Sequence, residues 1–412
     1  MKRFISVGVL VLTMGTTGVA LADEPPQSLR EDIRELQARL AALEAQEREN
    51  RMIPPTGGYG GIPQIIPGVN ISGYADVSYT YSLNESNNFL NTARVFDTES
   101  HGFTPHAFEL VFEKPISDEQ PVGFRADLFT GDDASVIKAT GLGASTTDVP
   151  FDLQQAYVNF RVPVGNGLDF KVGKFVTLLG AEVIESPANW NFSRSYMFGY
   201  SIPFTHTGLL ASYPWTEWFS TNLGAVNGWD IVDDNNKAKT ILGSFTLGPW
   251  SGLSWTTAYV VGAERANNNK DRRFVFSNIL SWTPMEKLAF MVNYDYGWEK
   301  DAVGGAAVTG SDNAHWQGVA VYAKYSLTDR WALAGRWELF HDMDNYRVTN
   351  AGSGLDDVRY LGYTLTSEWK LYDKLIARLE YRLDQANAQV FRHDQGINNH
   401  QNTVSAELIY PF

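Results

Sequence analysis

The chain has 412 residues, a formal charge of −14 from 33 Lys plus Arg against 47 Asp plus Glu, 13% aromatic residues and no cysteine. That acidic balance argues against nucleic acid as a partner, and the missing thiols exclude disulfides and thiolate metal sites. Beyond the first residues no apolar run is long enough for a membrane helix, so bilayer residence would have to come from alternating strands.

Residues 1–22 read as a secretory signal. Lys2 and Arg3 give a positive start, residues 4–18 an apolar stretch, and Ala20-Leu21-Ala22 a small-x-small cleavage site. Residues 23–52 are expected to form a periplasmic helical coiled-coil segment. Leu29, Ile33, Leu36, Leu40 and Leu43 recur at alternating steps of four and three, a heptad seam. Such a short seam is marginal alone, but an associated oligomer would raise its effective concentration, and a trimer is favoured over a dimer. Residues 53–68 are a Pro/Gly-rich linker that no helix or strand could cross intact.

Residues 69–412 alternate strand-like stretches with turns. Short turns are expected at 117–121, 165–167, 216–217, 248–252, 283–287, 328–330 and 372–374. Long polar loops are expected near 84–104, 133–150, 181–201, 231–238, 265–270, 299–314, 342–356 and 387–399. Seven short turns and eight long loops predict sixteen strands with both chain ends on the short-turn side. The fold class is therefore all-β, a transmembrane antiparallel β-barrel behind the helical segment. Leu375, Ala377, Leu379, Tyr381 and Leu383 should face lipid while Arg378, Glu380, Arg382 and Asp384 face the interior. A soluble β-sandwich could give the same period. Two features favour the barrel: aromatics such as Trp331, Trp337, Tyr410 and Phe412 end the apolar faces, and charges of both signs occupy strand centres on the other face. Tyr410 and Phe412 also provide the terminal aromatic strand that barrel-assembly machinery would read.

A barrel of that size encloses water, so function rests on what narrows and charges the pore. The loop 181–201 carries Trp190, Phe192, Tyr196, Met197 and Phe198, more aromatics than a solvated loop needs. It is expected to fold inward, the alternative being packing over a neighbouring subunit. The pore-lining and constriction set is Arg125, Asp127, Arg161, Lys171, Glu182, Glu185, Asn189, Asn191, Arg194, Arg336, Glu338, Arg378, Glu380 and Arg382. Opposed charges at a constriction would orient polar solutes, and Arg125, Arg161, Arg378 and Arg382 are the expected anion-favouring strip. In-wall ion pairing is the competing reading for at least half of the interior charges. The pairs Asp132-Asp133, Asp233-Asp234 and Asp356-Asp357 could hold divalent cations, but solvated loop acids are the better reading, so no metal and no cofactor is assigned. No G-x-S-x-G elbow or HExxH helix occurs, which leaves a hydrolase as the weakest reading, with His206 and Ser201 or Ser212 its nearest candidates.

Residues 185–195 read Glu-Ser-Pro-Ala-Asn-Trp-Asn-Phe-Ser-Arg-Ser, followed at 203–208 by Pro-Phe-Thr-His-Thr-Gly. This pair of segments resembles the central signature of the OmpL-like outer-membrane β-barrel porins, and the resemblance covers roughly 69–412. It implies an outer-membrane channel and points to Asn189, Asn191, Arg194, Ser195, His206 and Thr207 without assigning their roles. The helical segment ahead of the barrel is similar in layout to trimeric porins with a periplasmic coiled coil, some of which favour organic anions. The expected function is passive diffusion of small hydrophilic solutes with no covalent chemistry, the alternative a channel selective for organic anions or sugars. Expected partners are outer-membrane lipid and lipopolysaccharide, small solutes and two further copies of the chain.

Overall fold

In the computed structural model the described residues run from 68 to 412, apart from 85–88, 143–149, 304–311, 349–354, 356, 373 and 395. The chain divides into two units, Met1–Pro54 and Pro55–Phe412. The expected signal, heptad seam and most of the linker lie outside the described residues.

Period-two segments of Val, Leu, Tyr, Phe and Trp form strands because branched and aromatic side chains suit a pleated surface whose two faces differ. The first six are β1 (Asn70–Ser82), β2 (Gly102–Lys114), β3 (Val122–Thr130), β4 (Phe151–Val162), β5 (Leu168–Val176) and β6 (Thr205–Thr216). Next come β7 (Phe219–Val226), β8 (Thr240–Trp250), β9 (Leu253–Ala263), β10 (Arg272–Met285), β11 (Leu288–Val303) and β12 (Asp312–Thr328). The last are β13 (Trp331–Asp342), β14 (Val358–Lys370), β15 (Ile376–Ala386), a short pair β16 (Phe391–His393) and β17 (Gly396–Asn398), and β18 (His400–Pro411). Each long strand pairs antiparallel with its chain neighbour, and β1 pairs with β18 from Tyr74↔Pro411 to Ser82↔Thr403. The result is a closed sixteen-stranded barrel with no free sheet edge, as hydrocarbon requires.

Closure continues to the last residue. Phe412 N donates to Gly73 O at 2.9 Å, and Gly73 N donates to Phe412 O at 3.2 Å. Gly73 leaves room for this contact, since a Cβ there would lie 2.8 Å from the Phe412 ring and 2.0 Å from Glu109 O.

The two faces separate as the alternation predicts. Ser78, Thr80, Glu338, Thr366, Arg378, Glu380, Arg382, Asp384 and Glu407 are buried inside. Val77, Phe108, Val158, Leu209, Leu223, Leu365, Leu379, Leu408 and Tyr410 stand exposed outside. An apolar belt around the whole wall needs lipid to cover it.

Three details differ from the expected layout. β11 and β12 extend through much of the expected loop 299–314, because the hairpin ladder continues beyond the apolar belt. The loop after β3 opens with a short helix, α1 (Asp132–Ile137), whose Ala134 and Ile137 are fully buried. In that helix Asp133 is buried and takes His106 Nδ1 at 2.8 Å, so it is not the solvated acid expected.

Candidate pore constriction

The third long loop leaves β5 at Val176 and returns at Thr205, slightly longer than the expected 181–201. It turns at Gly180, whose φ of +87° favours glycine and where a Cβ would lie 2.3 Å from Ile202 Cδ1. From there its backbone bonds to inward-facing wall side chains. Gly180 N donates to Ser277 Oγ at 3.3 Å and Ala181 N to Asn293 Oδ1 at 3.0 Å, fixing the outbound limb to β10 and β11.

The loop is also tied to itself. Asn189 accepts from Val183 N at 3.0 Å and donates to Val183 O and Glu185 O at 2.8 and 3.0 Å. Arg194 donates to the carbonyls of Val183, Phe192 and Ile184 at 3.1, 2.8 and 2.5 Å, with its guanidinium 5.2 Å from the Phe96 ring centroid. Glu182 Oε2 accepts from Ser195 N and Oγ at 2.8 and 2.6 Å. These bonds satisfy a segment that has no ladder of its own, as buried amides and carbonyls must be.

Against the loop stands a ladder of alternating charge on β13, β14 and β15. Arg336 donates to Ser193 O at 2.5 Å and to Glu182 Oε1 at 2.7 Å. Glu338 accepts from Tyr196 N at 2.7 Å. Glu380 accepts from Phe192 N at 2.7 Å and Ser193 N at 3.0 Å, and also from Thr366 Oγ1. Arg378 donates to Ser186 O and Asn189 O at 3.1 and 2.7 Å, and Arg382 to Arg194 O at 2.6 Å. Asn191 Nδ2 reaches Thr366 Oγ1 at 2.7 Å, and Trp316 Nε1 reaches Ser201 O at 3.1 Å. Glu185 takes Gln154 Nε2 at 2.6 Å on β4. The wall thus supplies the donors and acceptors that a neighbouring strand would otherwise provide.

Most of the interior arginines carry their own counter-ions. Arg378 pairs with Glu368 and Glu407 at 2.9 and 3.1 Å, and Arg382 with Asp384 and Glu338 at 2.9 and 3.5 Å. Arg336 pairs with Glu182 and with Glu338 at 2.7 and 3.3 Å. Arg125 Nε sits 2.9 Å from Asp127, and Arg161 bridges Asp169 and Asp118 at 2.7 and 2.8 Å. Lys171 Nζ lies 4.9 Å from the Tyr157 ring centroid. Of the fourteen charged and amide residues expected around the pore, ten meet at the loop and its ladder, while Arg125, Asp127, Arg161 and Lys171 stay on the wall of β3–β5.

The chain is matched by a family model over residues 68–412, described as Putative beta-barrel porin-2, OmpL-like. The chain belongs to this porin family. Among solved structures, the porin is similar to the outer membrane channel DcaP of Acinetobacter baumannii, at 14% identity and TM-score 0.57 over 84% of this chain and 97% of that one. The anion-selective porin from Comamonas acidovorans matches at 10% identity and TM-score 0.56, covering 84% and 99%. The trimer form of OmpT from Vibrio cholerae matches at 11% and 0.52, covering 84% and 99%. At those identities the likeness is one of fold. No curated protein matches. Family and barrel together place the porin in the outer membrane.

Sequence reasoning missed several parts of the site. Arg94, in the first long loop, pairs with Asp384 at 2.5 Å and with Asp97, and Phe96 packs on Phe198 and Phe204. Nothing in that polar stretch marks Arg94 as buried. Thr364, Thr366 and Trp316 were legible only as inward positions, and Ser193 only as a loop residue.

Proposed function

We propose that the porin passes small hydrophilic solutes by passive diffusion through a water-filled barrel narrowed by the loop 181–201. The observation that carries this reading is the bonding of Phe192 N and Ser193 N to Glu380, mid-strand on the inner face of β15. A loop seated there stands within the barrel and obstructs part of its bore. The short turns face the periplasm and the long loops the outside, as in outer-membrane barrels generally. Charges paired within the wall favour broad passage of polar solutes over strict selection by sign, which ranks general diffusion above a channel selective for organic anions or sugars.

The working assembly is a homotrimer, joined at its periplasmic end by the heptad seam of residues 23–52. The trimer form of the similarly folded OmpT lends support. Tyr410 and Phe412 serve as the assembly signal, and lipid and lipopolysaccharide cover the outer belt. Purified protein in planar bilayers should give stepwise conductance. Folded protein that conducts nothing would remove the reading, and saturable block by one solute class would establish the selective alternative.

A further inference from the structure

Among the described residues two interior arginines pair with no acid: Arg194, whose guanidinium is taken up by loop carbonyls, and Arg347. Arg347 lies in the loop between β13 and β14, and among the described residues no carboxylate comes within ion-pair distance of it. Its Nε donates to Tyr200 O at 2.6 Å, which anchors the side chain to the end of the constriction loop. No acceptor among the described residues takes its Nη1 or Nη2. The guanidinium lies over two indoles, its Cζ 5.0 Å from the Trp229 ring centroid and 5.1 Å from that of Trp316. A second cation crowds it, because Arg273 Cζ lies 4.7 Å from the same Trp229 ring.

The acids nearby are already engaged. Glu299 takes Arg273 at 2.6 Å and Tyr346 Oη at 2.7 Å. Asp342 takes the backbone amides of Tyr346, Arg347 and Val348. Asp230 takes those of Phe204 and Thr205. Burial, and next the charge of Arg273, pull the Arg347 pKa down to about 10, the direction expected of an under-compensated cation. A rigidly held guanidinium with a free fork has the shape that accepts an oxyanion through two parallel hydrogen bonds.

We infer that Arg347, positioned by Tyr200, Trp229 and Trp316 with Arg273 beside it, is a binding site for the carboxylate or phosphate group of a small solute on the long-loop side of the constriction. The inference rests on the channel reading and adds to it a weak stopping point on the solute path. It differs from the expected strip of Arg125, Arg161, Arg378 and Arg382, whose members all have acid partners.

The test is calorimetric titration of the folded, detergent-solubilised full chain with sodium benzoate and with inorganic phosphate, at low chloride. Wild type should bind at least one probe saturably, with affinity falling as salt rises. Losing two charge-assisted hydrogen bonds should weaken binding about tenfold to a hundredfold in Arg347→Gln. Arg347→Lys, which keeps the charge without the fork, should fall between. Arg359→Gln, at an exposed arginine paired with Asp357, should bind like wild type. Benzoate alone binding assigns a carboxylate, phosphate alone a phosphate, and both a general oxyanion site. No binding of either probe by wild type, or undiminished binding by Arg347→Gln, overturns the inference. Because the readout is not current, binding without conductance would sink the channel reading alone, and conductance without binding would sink only this site.

Discussion

Glu380 is the sharpest handle on the constriction loop. Among the described residues its carboxylate pairs with no cation. It accepts two loop amides, Phe192 N and Ser193 N, and the hydroxyl of Thr366. Glu380→Ala therefore leaves no unpaired cation behind and simply strands two buried amide donors. Each stranded donor costs about 1–3 kcal/mol, so docking of the loop should weaken by about 2–6 kcal/mol. At about 1.4 kcal/mol per tenfold, the undocked fraction should rise by at least about tenfold. Glu380→Gln keeps one acceptor oxygen and should sit between. Two assays read the change. Trypsin should cleave after Arg194 faster in the folded variant, because the Arg194 side chain is buried only while the loop is docked. Single-channel records should show higher mean conductance and added noise. A folded Glu380→Ala barrel with wild-type cleavage and wild-type conductance would refute the clamp.

Other outcomes follow from the same geometry. Gly73→Val puts a side chain where a Cβ already meets Glu109 O and the Phe412 ring. It should cost about 1–3 kcal/mol and reduce the fraction that migrates as folded barrel on an unboiled gel, whereas an unchanged fraction would show that the β1–β18 seam tolerates widening. Arg161→Gln leaves Asp118 and Asp169 without their cation at the short-turn rim. Its reversal potential should move toward cation selectivity with little change in stability, since exposed pairs contribute roughly 0–1 kcal/mol, and a fixed potential would remove Arg161 from the conduction path. Removing residues 1–52 should leave the barrel folded but loosen the trimer, as seen by mass in detergent. A trimer of undiminished stability would deny the heptad seam its role.

The barrel was legible because a strand's two faces repeat every second residue and lipid rejects charge on one of them. Leu379 and Tyr381 outside with Glu380 and Arg382 inside follow from the spelling alone. The turns were legible from Gly, Pro and Asp clusters, and the loop 181–201 stood out by its aromatics. What the residues could not disclose was partnership. Arg378 could have faced open water, and it instead sits between Glu368 and Glu407, its register partners on β14 and β18, and two carbonyls of the loop 177–204. Loops take their shape from tertiary contacts, so Arg94, α1 and the β16–β17 pair left no periodic trace. Arg347 went unnoticed for the same reason: its stacking partners Trp229 and Trp316 come from strands and loops far away in sequence.

The most direct test is single-channel current from the full chain beside a variant with residues 184–196 replaced by a short Gly/Ser linker, both verified as folded by their shift on boiling. A water-filled barrel narrowed by its third loop predicts discrete steps from both, with larger steps once the loop is gone. Equal steps would deny the loop its place in the bore, and silence from both would contradict a conducting barrel altogether.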